Sequence, residues 1–228
     1  MSANGLRPVL TALAGRFETT SGDRAILTFD EAGALLRRIE AGKSSDVRIL
    51  PKSALEELTK AGKIAPESVR EIASATLGKA VADGAPKPDT STVDGFRGWL
   101  LGVDAIVMTD PAAGGIGSAH FLRVLQTLGI ADAMKSRLIF TAAAGSYNAE
   151  LVAAGKADAA VQLSHLIRPV RGVALVPLPA EFALTVTFSA GASPSATKPA
   201  AAASLIRFLS GPNAAPVIEA AGMRSDDR

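Results

Sequence analysis

The sequence predicts an α/β fold, and three observations predict it. Short apolar runs of strand length alternate with helical stretches of about 10 to 15 residues, the order that builds mainly parallel sheets with helices on both faces. The 228 residues are 48% apolar and hold no long polar tract, so a sizeable core can be buried and disorder is excluded. Alanine is abundant and aromatics make up only 4%, so the helices are expected to pack closely through small side chains.

Taken in order, Leu6, Val9, Leu10, Leu13 and Phe17 recur at helical spacing and stop before Ser21-Gly22. The strand that should feed this helix is reduced to Met1–Ala3 or lost. Ala25–Phe29 reads as a strand, and Ala32, Leu35, Leu36 and Ile39 form a helical face ending at Gly42. Asp46–Leu50 reads as a strand, followed by a helix capped by Ser53, carrying Leu55 and Leu58 and closed by Gly62. Thr76–Val81 is another strand, after which the Gly/Pro-rich segment 83–89 breaks all periodicity and reads as a loop between lobes. A helix begins at Asp94 with Phe96, Trp99 and Leu100 on one side, and Ala105–Met108 is a buried strand. The helix of Phe121, Leu122, Val124, Leu125 and Leu128 comes next, then a strand at Leu138–Thr141 and a short helix at Tyr147–Ala154. Strands at Ala157–Leu163, Val173–Leu178 and Phe182–Phe188 precede an alanine-rich helix, Thr197–Leu209, stopped by Gly211-Pro212.

Composition removes several classes of chemistry. The 24 basic and 22 acidic residues leave +2, spread without a block of like charges, which is a poor footprint for nucleic acid. No cysteine is present, so disulfides, thiolate metal sites and cysteine nucleophiles are excluded. His120 and His165 have no HxxxH spacing and no Ser or Cys partner at a recognisable elbow, so each reads as a structural group. Asp104, Asp110 and Asp158 lack a second acid nearby in sequence, which leaves no case for a glycosidase pair. No apolar run approaches the roughly 18 residues that cross a bilayer, and residues 1–8 hold neither a basic nor an apolar leader region.

Three helix starts draw attention. The segment from Ala105 to Phe121 runs from a strand through Gly114, Gly115 and Gly117 into a helix, leaving backbone N–H groups and a partial positive charge suited to an anion. It matches neither the Walker pattern nor GxGxxG, and a tight turn is the plainer account. Ser2-Ala3-Asn4-Gly5-Leu6 opens the first helix with Asn4 as its expected cap, and Asp30-Glu31-Ala32-Gly33 opens the second with acids facing the helix dipole. Arg7, Arg37 and Arg38 are candidates for anion contacts, with a solvated helix face as the alternative; Trp99 is expected in the core.

The order of these motifs resembles the periplasmic molybdate-binding protein family, the type 2 solute-binding components of ABC importers, in a divergent branch. The resemblance runs from residue 2 to about 223. It rests on Ala3-Asn4-Gly5-Leu6, on Phe29 to Gly33 with Leu35, Ile39, Gly42 and Asp46-Val47, and on Leu58, Gly62 and Ile64. It continues through Gly84, Pro88-Asp89, Asp110-Pro111 with Gly117, Leu128-Gly129, Gly155-Lys156-Ala157-Asp158, Val176-Pro177-Leu178-Pro179, Phe208-Leu209-Ser210 with Pro212, and Ala221-Gly222-Met223.

The resemblance implies a two-lobe type 2 periplasmic-binding-protein fold, with residues 1–80 and 183–228 in one lobe and 81–182 in the other, joined by two crossing segments and closing on a ligand in the cleft. It implies ligand contacts at Ala3, Asn4, Gly5, Glu31 and Ala32 from the first lobe. From the second it implies Ile116, Gly117, Ser118, Ser146, Tyr147, Gln162 and Ser164. The hydroxyls that hold oxyanions in the family do not carry over: Asn4 and Gly5 replace a serine pair, Ala32 a serine and Gln162 a tyrosine. Each hydroxyl lost weakens a small dianion by roughly 1.5–3 kcal/mol, which argues against molybdate. Asn4, Gln162 and Ser146 instead suit a carboxylate.

The expected function is therefore that of a non-enzymatic, monomeric solute-binding protein, periplasmic, without metal or cofactor. It would take a small organic anion and hand it to the membrane permease of an ABC importer, with no nucleic acid involved. The alternative is a cytoplasmic effector-binding sensor module like that of LysR-type regulators, which share the fold.

Overall fold

Residues 1–85, 89, 92–142 and 148–225 are described in a computed structural model, a mixed α/β structure as the sequence predicts. Pro86 to Pro88 of the predicted interlobe loop, and Tyr147 at the start of a predicted helix, lie outside the described residues. The chain divides into two compact units, Met1–Ala75 with Val186–Arg228, and Thr76–Thr185.

In the first unit, β1 (Ser2–Ala3) survives as a two-residue strand and passes through a 3-10 turn, Asn4–Leu6, into α1 (Arg7–Ser21). Pro8 suits the first turn of α1, where its missing N–H has no partner to lose, and Gly22 ends the helix in the left-handed conformation at φ 76°. Val9, Leu10, Leu13 and Phe17 form its buried stripe, and the Phe17 ring meets Phe208 edge-on at 5.4 Å. The strand expected over Ala25–Phe29 shrinks to β2 (Phe29–Asp30). Ile26 is 84% exposed, so no core rewards extension of the earlier residues.

α2 (Ala32–Glu40) buries Ala32, Leu35 and Ile39, and β3 (Val47–Pro51) is buried at every residue, as a central strand should be. α3 (Lys52–Lys60) starts directly after Pro51, one residue before the expected cap: Ser53 lies inside the first turn and makes no capping bond. β4 (Arg70–Ala82) begins in this unit, and β9 (Thr185–Ala192), α9 (Pro199–Leu209), α10 (Ala215–Ala220) and β10 (Arg224–Ser225) complete it. The strand order is β2-β1-β3-β9-β4, with β10 on the other edge of β4. β1 runs parallel to both β2 and β3, while β9 is antiparallel to β3.

In the second unit, the later half of β4 pairs antiparallel with β7 (Ala159–Leu163) on one edge and β8 (Val173–Pro177) on the other. β5 (Ile106–Thr109) lies parallel to both β7 and β6 (Leu138–Thr141). Its helices are α4 (Val93–Gly102), α5 (Ile116–Thr127), α6 (Ala131–Met134), α7 (Asn148–Ala153) and α8 (Ser164–Ile167). α4 begins one residue before Asp94, and Thr92 caps it by accepting from Gly95 N. Phe96, Leu100, Ile106, Met108, Phe121, Leu125 and Met134 make the centre of the core, with Trp99 packed against it as expected. Among the described residues no helix is long and apolar enough to cross a membrane.

One residue of that core is charged by type. Lys79 of β4 is fully buried; its Nζ donates to Pro177 O at 3.0 Å and lies 4.6 Å and 5.0 Å from the ring centroids of Phe96 and Trp99. Burial lowers its pKa from 10.5 to about 7.

Candidate functional site

In open α/β sheets, ligands bind beyond the carboxyl ends of parallel strands, where the following helices present their N-termini. In the first unit, the register Ser2↔Phe29 and Ser2↔Ile49 makes β1, β2 and β3 leave the sheet at one edge. The residues that follow are Asn4, Glu31 and Lys52. Ala3 and Ala32 are buried beside them, and Gly5 is half-buried.

Asn4 does not cap its helix. Its side chain instead bridges two charged groups: Oδ1 accepts from Arg7 Nη2 at 2.9 Å and Nε at 3.3 Å, while Nδ2 donates to Glu31 Oε1 at 3.1 Å. Because the amide oxygen must face the guanidinium, its NH2 must face the carboxyl, and the rotamer is fixed. Arg7 is held a second way, its Cζ lying 4.6 Å from the Phe29 ring centroid.

Glu31 is half-buried, and burial raises its pKa above the ordinary glutamate value. The neighbouring Asp30 charge pushes in the same direction, and the Asn4 hydrogen bond opposes both. The side-chain cap expected at this helix start is not made: Glu31 is the N-cap residue and caps no N–H, while Asp30 Oδ1 accepts from Glu31 N at 2.9 Å and its Oδ2 pairs with Arg38 at 3.3 Å.

In the second unit, β5, β6 and β7 are mutually parallel through β5, and they end at Thr109, Thr141 and Leu163. The register sets Thr109 beside Thr141. The buried Asn148 ties them together: Thr141 Oγ1 donates to its Oδ1 at 2.7 Å, and its Nδ2 donates to Thr109 Oγ1 at 3.4 Å. Gln162 is buried with Oε1 accepting from Ala149 N at 3.4 Å, and the buried Ser164 hydroxyl accepts from Thr76 Oγ1 at 3.4 Å.

The glycine-rich segment resolves into a 3-10 turn, Pro111–Ala113, whose Ala112 N is capped by Asp110 at 2.8 Å, followed by α5. In its first turn Ser118 is buried and Ile116 half-buried. Gly117 is there for space: a Cβ would lie 2.6 Å from Leu77 Cδ1. Ser146 and Tyr147 lie outside the described residues. Each unit thus gathers its own described candidates at one sheet edge, Ala3, Asn4, Gly5, Glu31 and Ala32 in the first and Ile116, Gly117, Ser118, Gln162 and Ser164 in the second.

The two histidines take different places. His120 Nε2 lies 2.9 Å from Phe182 O, bound to backbone, and His165 is buried in α8. Among the described residues no group of His, Asp or Glu is arranged to hold a metal ion.

Sequence reasoning missed Asn148, Thr109 and Thr141 and left Arg7 undecided. A signal existed for the threonines, since two parallel strands each end in Thr; the fixing of Arg7 by Phe29, 22 positions away, had none. Chemically, the first unit offers one guanidinium with an oriented amide and a carboxyl. The second offers hydroxyl, amide and backbone N–H groups, all uncharged.

A family model described as bacterial extracellular solute-binding protein matches residues 1–224. A curated aconitate isomerase from Pseudomonas sp. is 27% identical over 230 residues, covering 98% of this chain and 86% of that protein. Among solved structures, the periplasmic molybdate-binding protein of Azotobacter vinelandii aligns with a TM-score of 0.77 at 23% identity, covering 97% of this chain and 96% of that one. The sulfate-binding protein of Mycobacterium tuberculosis aligns with a TM-score of 0.76 at 17% identity, covering 99% and 85%. These likenesses carry the fold.

Proposed function

Because the chain belongs to the bacterial extracellular solute-binding protein family, we propose that it binds a small organic carboxylate with more than one acid group and delivers it to the membrane permease of an ABC importer from the periplasm. The observation that carries the choice of ligand is the Arg7–Asn4 pair. Asn4 stands where the molybdate-binding family uses serine hydroxyls, and it fixes a guanidinium whose remaining N–H groups have no partner among the described residues. A planar, forked donor recognises a planar, forked acceptor. The relative named aconitate isomerase supports the same reading, since aconitate is a tricarboxylate.

A thermal-shift panel tests the proposal. Citrate, trans-aconitate and succinate are compared with molybdate, tungstate and sulfate. The carboxylates should raise the melting temperature and the oxyanions should not; stabilisation by molybdate or tungstate alone would overturn the assignment. Arg7→Ala should weaken the carboxylate response by roughly 1.5–3 kcal/mol, about ten- to a hundredfold in affinity.

A second reading, an isomerase acting on the bound carboxylate, is favoured by that same relative and by the carboxyl of Glu31 beside Arg7.

A further inference from the structure

The chain passes from the second unit back to the first between Thr185 and Val186. Residues 178–184, which lead up to that passage, hold no regular structure beyond a 3-10 turn, Ala180–Phe182. Side chains and backbone of the second unit fasten them along their length. At the start, Lys79 Nζ donates to Pro177 O at 3.0 Å. In the middle, the Phe182 ring centroid lies 6.2 Å from that of Phe96, and Phe182 O lies 2.9 Å from His120 Nε2. At the end, Leu184 O accepts from Leu77 N at 2.8 Å. Phe96 is the shared member, because its ring also meets the Lys79 amine at 4.6 Å and Trp99 at 6.1 Å. A change at the amine therefore reaches both Pro177 and Phe182.

The place serves an amine better than an ammonium. A charged lysine presents three N–H donors, and here one carbonyl accepts while two ring faces cover the rest. Among the described residues no carboxylate offsets the charge, and burial is the sole cause that lowers the pKa. The flanking strands β7 and β8 carry no charged residue; Asp94 and Arg97 of α4, Arg123 of α5 and Glu181 of the turn are all exposed. His120 is the other titratable group of the cluster. A neutral amine keeps its bond to Pro177 O at no cost of buried charge, whereas the ammonium gains by meeting water.

We infer that Lys79 is a proton-controlled anchor: uncharged, it holds residues 178–184 on the core of the second unit, and charged, it releases them. The inference stands apart from the choice of ligand. In the anchored state the amine has a pKa of about 7, and in water the ordinary 10.5. Between those values the released state binds one more proton, so each unit of falling pH favours release by up to about tenfold; below pH 7 nothing further is gained. Because a few residues at element ends absorb the backbone changes of a moving protein, slackening this segment makes the freedom of the second crossing depend on protons.

The test follows the full chain from pH 6 to 9.5 with two readouts. Trp99 is the one tryptophan and lies 5.0 Å from Lys79 Nζ, so its emission reads the charge on the amine. Hydrogen exchange by NMR reads the anchor through the amides of Phe182, Ala183 and Leu77, which donate to Pro179 O, Ala180 O and Leu184 O. In wild type the emission should change with a midpoint near pH 7. Protection of the three amides, corrected for free-chain exchange, should fall about five- to tenfold per pH unit from 9 to 7.5 and level off below 7. It should also lie well below that of the α1 amides, which open only in wider unfolding. Lys79→Gln keeps a donor for Pro177 O but cannot titrate, so both signals should be flat; Lys79→Met serves if the glutamine variant does not fold. His120→Gln retains a donor to Phe182 O and should titrate as wild type does. Flat signals in wild type, unchanged titration in the Lys79 variants, loss of titration in His120→Gln, or exchange of the three amides only together with α1 overturns the inference.

Discussion

At the scale of single residues, Lys79 and Asn148 show what a one-dimensional reading cannot deliver. The strand Leu77 to Val81 reads as apolar apart from one lysine, and alternation alone would put that lysine in solvent; instead it lies between two aromatic rings and a carbonyl. Its folded pKa of about 7 is below the ordinary 10.5, so between those values the unfolded chain binds more protons than the folded one. Stability should therefore rise with pH across that window, as the buried amine sheds its charge in the folded state first. Lys79→Met should remove this rise. The melting-temperature difference between variant and wild type, followed from pH 7 to 10 by circular dichroism, should favour the variant most at pH 7 and shrink as pH increases. Asn148 is the counterpart among neutral groups. Asn148→Ala takes away the Thr141 hydroxyl's 2.7 Å acceptor and leaves it the longer one, Met108 O at 3.3 Å, so urea denaturation should show a loss of about 0.5–1.5 kcal/mol.

At the scale of elements, helices were legible because their apolar stripes follow a period that sequence displays directly. α1 buries the stripe read from it, and α2 and α5 bury most of theirs. Their starts were less legible. Ser53 has the composition of a cap but sits two residues past the cap position at Pro51, and Asn4 gives its side chain to Arg7 and Glu31, because a cap competes with every other partner in reach. The two-residue β2 was overdrawn for a related reason: Ala25 to Thr28 have strand composition but no burial to reward it. The glycine-rich start of α5 reads from sequence as a tight turn opening a helix whose backbone N–H groups suit an anion, and the structure adds a steric need for Gly117. Gly117→Ala drives its methyl toward the buried Leu77 side chain, 2.6 Å from Cδ1. It should cost about 1–3 kcal/mol in the same denaturation assay and lower ligand affinity by displacing the first-turn N–H groups.

For the molecule as a whole, the class of fold and the family were readable because ordered weak motifs over nearly the entire chain add up where single ones do not, and the family match spans residues 1–224. The specificity was only half readable. Replacement of serines by Asn4, Gly5 and Ala32 argues against molybdate on the family resemblance alone, but the placing of the Arg7 guanidinium depends on Phe29 and Asn4 meeting it in space. In the first unit, the ends of the parallel strands bring Asn4 and Glu31 together, and the proposal of a polycarboxylate rests on the Arg7 guanidinium that Asn4 holds there. Ligand at a hundred times its dissociation constant should stabilise the fold by about 2.7 kcal/mol, an amount visible as a shift in thermal unfolding. The most direct measurement is isothermal titration of the wild-type protein with trans-aconitate and, separately, with molybdate. The account predicts saturable one-to-one binding of the tricarboxylate and no heat from molybdate; saturable binding of molybdate with none of the tricarboxylate would contradict it.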